Sequence, residues 1–216
     1  MPRLPLFPLN TVVFPGGRLP LRIFEPRYKQ LLKDCLESDR TMGIVLIKSG
    51  LEVGGPAEPY SIGTQCRIDE LGAPAAGAIP LTLVGERRFR ISSLDRSLPY
   101  LVGEVAMLRD EDDPEAGLAA EALRPVAQKY VRLLFASQGE YRGQIDLPGD
   151  PATLSDLAGT LLYDQTPELR QTVLEAEPLS ARLRLMTRAL ERSARTIEKK
   201  IMRSGPGRGP TTFGLN

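Results

Sequence analysis

"LPLFPLNTVVFPGGRLPLRIFEPRY", residues 4–28, threads five prolines and two glycines through large apolar side chains. Proline has no amide hydrogen, so a strand carrying Pro5 and Pro8 cannot donate a full ladder of hydrogen bonds. The segment is therefore expected at a sheet edge or as a wrapped, extended chain. Phe7, Val12, Val13, Phe14, Leu19, Leu21, Ile23 and Phe24 are too many for the interior of one small barrel. Some of them must face the surface or a second layer of the fold.

Outward from this stretch, residues up to about 108 read as short strands. In "SIGTQCRIDEL" (61–71), Ile62, Thr64, Cys66 and Ile68 alternate with Gly63, Gln65, Arg67 and Asp69, the period of a half-buried strand. "MGIVLI" (42–47) is a continuous apolar run suited to a central strand. "IPLTLVGERRFRI" (79–91) places Phe89 and Ile91 on one face against Arg88 and Arg90 on the other, and "YLVGEVAML" (100–108) adds another run. One helix interrupts them: Tyr28, Leu31, Leu32 and Cys35 recur at helical spacing, with Pro26 in a first turn that tolerates it. These runs make a sheet or small barrel.

"RDEDDPEAG" (109–117) is acidic, punctuated by Pro and Gly, and reads as a solvated linker. A cation site would need Asp110, Glu111, Asp112 and Asp113 to converge, which neighbours in a loop rarely do unaided. Beyond it the apolar period becomes helical. Val126, Tyr130, Leu133 and Leu134 mark one helix, with Pro125 kinking it or starting it. Leu154, Leu157, Ala158, Leu161 and Leu162 mark a second, and Thr166 followed by Pro167 caps a third. A long fourth carries Leu179, Leu183, Met186, Leu190, Ile197 and Ile201 on one side. The expected division is a β-rich part over 1–109, a linker over 110–117, a helical part over 118–203 and a flexible tail over 204–216.

Several chemistries are excluded by what is missing. The 216 residues contain no His, which removes His-based nucleophilic sites and HExxH zinc sites. No GxxxxGK[ST] phosphate loop occurs, and the glycines of "SGLEVGGPAE" lack dinucleotide-binding spacing. No metal and no cofactor is expected. Two cysteines make no disulfide framework. "MPRLPLFPLN" lacks the basic stretch and continuous apolar core of a secretory signal, and no run is long enough to span a bilayer, so a cytoplasmic location is the default. Net charge is only +1. Residues 178–208 nevertheless hold nine basic and two acidic residues, a local excess of seven. That basic stretch is the one patch suited to nucleic acid; without interleaved aromatics it also fits the solvated face of a long helix.

The opening stretch, with "GIVLI", "IGTQCRIDEL" and "LVGERRFRI", resembles the N-terminal substrate-binding domain of the Lon protease family, most closely its stand-alone members. "DPATLSDLAGTLL", "LRQTVLEAEPLSARL" and "ERSARTIEKKI" resemble the helical part that follows in that family. The resemblance spans residues 3 to 203; Gly17, Arg22 and the link "LGAPAAGAIP" depart from it. It implies an α+β fold: a PUA-like, six-stranded pseudo-barrel with one helix, followed by a four-helix bundle. It also implies that the ATPase and Ser-Lys peptidase modules of full-length Lon proteases have no counterpart here.

The expected function is non-enzymatic. An apolar extended surface at a sheet edge suits unfolded or client polypeptides, handed on to a protease or chaperone. The competing reading is that the same side chains pack between the two halves. A peptide groove is expected to be lined by Phe14, Phe24, Glu25, Arg27 and Arg87. RNA binding through the basic final helix is the alternative, since PUA-like folds elsewhere bind RNA. For an enzyme, Glu86 with Arg87 is the charged pair to inspect, and a structural ion pair is its simpler reading.

Overall fold

A computed structural model describes residues 2–140, 143 and 145–204; the expected flexible tail, apart from Ser204, lies outside the described residues. The elements run β1 (Arg3–Leu9), β2 (Arg18–Ile23), α1 (Pro26–Leu36), β3 (Thr41–Gly50), β4 (Ala57–Pro59), β5 (Ile62–Leu71), β6 (Ile79–Asp95), β7 (Leu101–Met107), α2 (Ala116–Ser137), α3 (Pro151–Thr160), α4 (Pro167–Glu175) and α5 (Leu179–Ser204). This is an α+β fold with a mostly antiparallel sheet.

The strands follow the order β1–β7–β6–β5–β3, and β1 returns to pair with β3, closing a ring of five. β4 hangs on β3, and β2 hangs on β6. The described residues thus hold seven strands, five in the ring and two outside it, where the family resemblance implied six.

The placement of β1 corrects the edge expectation. β1 lies between two neighbours, but it divides itself between them. Arg3–Leu6 pair antiparallel with β7, and Leu6–Leu9 pair parallel with β3. Pro5 stands opposite Val102 and Pro8 opposite Val45, each in a half of the strand with one neighbour, so a missing N–H does not interrupt a two-sided ladder. The edge strands are β2, which pairs with β6 alone, and the three-residue β4, which pairs with β3 alone.

Side-chain alternation sorts the interior. Ile62, Thr64, Cys66 and Ile68 of β5 are all buried, as their period predicts. Tyr28, Leu31, Leu32 and Cys35 of α1 join the barrel-side cluster with Phe7, Met42, Ile44 and Leu83. The β1–β2 connection serves two cores at once: Val13 packs with the barrel cluster, while Val12 and Phe14 join Leu46 and Ile62 in the cluster formed by the helices. The connection ends in a bulge. Gly16, at φ 75°, donates its N–H to Gly85 C=O, and Gly85 donates in return to Gly17 C=O. A left-handed residue at this position is what glycine permits without steric cost.

The helical half differs from expectation at α2. Its buried face is Ala116, Ala119, Ala120, Leu123, Ala127 and Tyr130, not Val126, Leu133 and Leu134, which are only partly buried. Small side chains let α2 approach α5 closely, and a search for large apolar residues passes over them. Pro125 lies exposed within α2 rather than at its start. Thr166 caps α4, accepting the N–H of Leu169, and Asp150 caps α3, accepting that of Thr153.

The two halves are tied by polar contacts that sequence separation hides. Arg170 of α4 donates to Val12 C=O and to Thr11 Oγ1 (3.3 Å), and Gln171 donates to Ile62 C=O (2.9 Å). Asp110, expected in a solvated linker, accepts from Arg88 of β6 (2.7 Å) and from Arg182 of α5 (2.5 Å). Both guanidiniums are buried. Arg88 also donates to Leu174 C=O, and Arg182 to Ser155 Oγ and Ala176 C=O. As its strand pattern predicts, Arg88 lies on the face of β6 opposite Phe89: it stands across from Thr64, while Phe89 stands across from Gly63 and packs with Leu4, Leu6 and Val45. A bulge at Glu86, where Gln65 pairs with Arg87 but Cys66 with Gly85, puts Arg88 on the same face of β6 as Leu83, and the helical half buries it there through Leu174 and Asp110.

Candidate functional site: the open edge of β2

The five residues expected to line a groove fall into three places. Phe14 is buried, 3% exposed, against α3 at the junction of the halves. It is a core residue, because the extended β1–β2 connection turns it toward the helices. Arg87 is exposed on β6 opposite Gln65. Its neighbour Glu86 pairs with Arg67 across the β5–β6 ladder at 3.1 Å, not with Arg87.

Phe24, Glu25 and Arg27 remain together where β2 runs into α1. The Glu25 carboxylate accepts from Arg27 (3.0 Å) and from the Gly54 N–H (3.2 Å). Arg27 donates to Gly55 C=O (2.9 Å) and Glu52 C=O (3.3 Å), and its guanidinium lies 4.5 Å from the centre of the Tyr28 ring. These bonds clamp the β3–β4 loop to the start of α1. Phe24 projects beside them, 53% exposed, and Leu51 and Val53 of the clamped loop are also exposed. Arg27 and Tyr28 line a cleft of about 340 Å³ with Pro8, Leu98, Pro99 and Tyr100.

A second opening lies across β2, β6 and β5. A cleft of about 630 Å³ is lined by Pro20, Leu21 and Arg22 of β2, Pro80, Leu81 and Thr82 of β6, and Glu70, Leu71 and Gly72 at the end of β5. Leu71 is 44% exposed there. The open edge falls in the same quoted segment but on another strand: the prolines of β1 drew the edge assignment, while Pro20 carries the same signal for β2.

Charges around the β2 face are mostly paired. Arg18 bridges Asp69 and Glu70, both at 2.9 Å, and Arg67 reaches Asp69 (3.3 Å) as well as Glu86. At the inter-half junction, burial pushes the Asp156 carboxyl up to about 6 despite nearby Arg182, and lowers Arg88 from the usual guanidinium range. A carboxyl titrating near neutrality suits proton transfer. Here its surroundings are guanidiniums spent on backbone carbonyls, Asp110 and Ser155, which is the wiring of a brace. Burial likewise pushes the Cys35 thiol up to about 12 and raises Cys66 further, the opposite of an activated nucleophile. Among the described residues no three His, Cys, Asp or Glu side chains gather as metal ligands, and no helix is long and apolar enough to cross a membrane.

A ring of strands attached to a helical half thus leaves the edge of β2 and the cleft beside it open. Comparison with known proteins gives the family. The family model for the ATP-dependent protease La (LON) substrate-binding domain matches residues 3–192, and the chain belongs to that family. It is 29% identical over 200 residues to a Lon protease of Anaeromyxobacter dehalogenans and 30% identical over 201 residues to Lon protease 2 of Myxococcus xanthus. Each match covers 90% of this chain but only 24% of the relative, so the chain spans about a quarter of their length. Among solved structures it is similar to a Lon N-terminal domain protein from Xanthomonas campestris (31% identity, TM-score 0.58, 85% of this chain and 95% of that one). The N-terminal domain of a Mycobacterium avium complex Lon protease shares the fold at 20% identity, with a TM-score of 0.66 over 88% of this chain and 98% of that one. The part of the relatives that is matched is their substrate-binding domain, not their protease domain.

Proposed function

We propose that this chain is a non-catalytic recognition domain that binds exposed apolar segments of unfolded or client polypeptides in the cytoplasm, for a protease or chaperone that acts on them. The observation that carries this reading is the open edge of β2 beside a cleft whose accessible wall includes Pro20, Pro80 and Leu71. An extended chain can add to such an edge through its backbone while side chains settle in the cleft. Phe24, exposed just past the end of β2, extends the apolar track. Family membership supports the same class of role.

The basic final helix lends the RNA alternative little. Arg182 is buried, Arg184 pairs with Glu115, and Arg195 pairs with Glu191 at 3.5 Å.

Fluorescence anisotropy with a labelled, permanently unfolded polypeptide tests the proposal. Saturable binding is expected, weakened by Leu71→Asp in the cleft and unaffected by Leu118→Asp, which alters an exposed leucine on α2. Equal effects of the two substitutions, or no saturable binding, would overturn it.

A further inference from the structure

Two hydrogen bonds fix which way the backbone groups of β2 point. Gly85 donates to Gly17 C=O from the β6 side at 2.9 Å, and Gly72 of the β5 side donates to Pro80 C=O at 2.8 Å. Hydrogen-bonding direction alternates along an antiparallel pair, and the register runs from Arg18 opposite Val84 to Ile23 opposite Ile79. Leu19, Leu21 and Ile23 therefore bond toward β6, while Arg18, Pro20 and Arg22 turn their backbone groups to the open side. That side presents three carbonyls but, because Pro20 has no N–H, only two donors. An incoming strand is held at the middle of this edge by what it donates.

The charge beside the edge is also one-sided. Glu70 is engaged by Arg18 (2.9 Å) and by the Thr82 hydroxyl (3.2 Å), and Asp69 by Arg18 and Arg67. Arg22 is exposed, lines the same cleft, and has no ion-pair partner among the described residues. Pro20 and Arg22 each contribute both to the open backbone edge and to the cleft, so a strand on the edge passes directly beside the unpaired guanidinium.

We infer that the occupant is an extended segment that adds to β2 as a further strand, rests a bulky apolar side chain against Pro20, and carries a carboxylate two residues from that side chain, on the same face, to meet Arg22. Arg22 is then the specificity-determining residue, and apolar–acidic, strand-forming segments are the ligand class. This rests on the polypeptide-binding reading above and narrows it.

The test uses the whole chain and labelled ten-residue peptides of alternating Val and Thr around one Phe, differing only in whether the residues two positions before and two positions after the Phe are Glu, Gln or Lys. The Glu peptide is expected to bind about three-fold tighter than the Gln peptide, the range of an exposed ion pair, and the Lys peptide weakest. Arg22→Glu, at an exposed position, is expected to reverse that order. Two further Glu peptides, N-methylated at alternate amides in the two possible phases, report on the backbone. In one phase binding is expected to fall about ten-fold, as donors to the edge carbonyls are lost. Equal affinities for Glu, Gln and Lys peptides, or an unchanged order in Arg22→Glu, overturn the charge assignment. Full binding of both N-methylated peptides overturns strand addition. In each of these cases saturable binding persists and the broader reading stands; absence of saturable binding by every peptide removes both.

Discussion

The ring of Phe14 lies so close to Gly159 that a β-carbon on Gly159 would fall 2.3 Å from Phe14 Cδ1. The β1–β2 connection is thereby seated on α3, with Val12 and Phe14 in the helical core and Val13 in the barrel-side core. An extended segment with a packed layer on each side gives its alternate side chains to each, which is why so apolar a stretch is mostly buried.

Gly159→Ala should destabilise the fold by about 1–3 kcal/mol through overpacking. Glycine inside a helix ordinarily costs about 0.5–1 kcal/mol relative to alanine, so the expected sign is opposite to that of helix propensity. Urea unfolding gives the value. Phe14→Leu should shrink the penalty of Gly159→Ala; additive losses in the double variant would show that the ring is not the obstacle.

Asp110→Asn should cost about 3–5 kcal/mol, because it leaves two buried guanidiniums without their shared countercharge. Arg88 is 6% and Arg182 1% exposed. Glu58→Gln, which breaks the solvent-exposed pair with Arg96, should change stability by less than about 1 kcal/mol. Similar urea midpoints for the two variants would contradict the bracing role of Asp110.

Asp156 gives stability a pH dependence of definite sign. Its carboxyl binds a proton more tightly in the folded chain than in the unfolded one, so its contribution is lost as pH rises from 3.8 to about 6 and stays lost above that. Asp156→Asn is therefore expected to raise the urea midpoint at pH 7.5, with the advantage shrinking toward pH 4. A gap of constant size at both pH values would mean that another group titrates.

Pro20→Val should restore an N–H at the middle of the open side of β2. An uninterrupted edge strand is a template for pairing with another copy, so the variant is expected to self-associate in sedimentation velocity at concentrations where the parent sediments as before. Identical concentration dependence for the two proteins would show that Pro20 does not guard the edge.

Much of the local structure was legible. The alternation of Ile62, Thr64, Cys66 and Ile68, the spacing of Tyr28, Leu31, Leu32 and Cys35, and the Thr166–Pro167 cap each report interactions within a few residues, and each element formed where its pattern placed it. The candidate site was legible only in part. The quoted stretch holds β2, Pro20 and Arg22, but prolines at 5, 8 and 20 look alike until strand partners are known. The buried face of α2 was missed because alanines leave a weak trace.

By itself the amino-acid sequence determined the elements and the kind of layer each could join, because backbone sterics, capping and side-chain period act over a turn of helix or a few strand residues. Only the tertiary structure decided which proline-bearing strand would close the ring and which would stay open, that Asp110 would bind Arg88 and Arg182 across 22 and 72 residues, and that the helical half would bury the face of β6 that carries Arg88. Those outcomes depend on partners brought together by chain closure, and no local pattern encodes where a distant carbonyl or carboxylate will arrive.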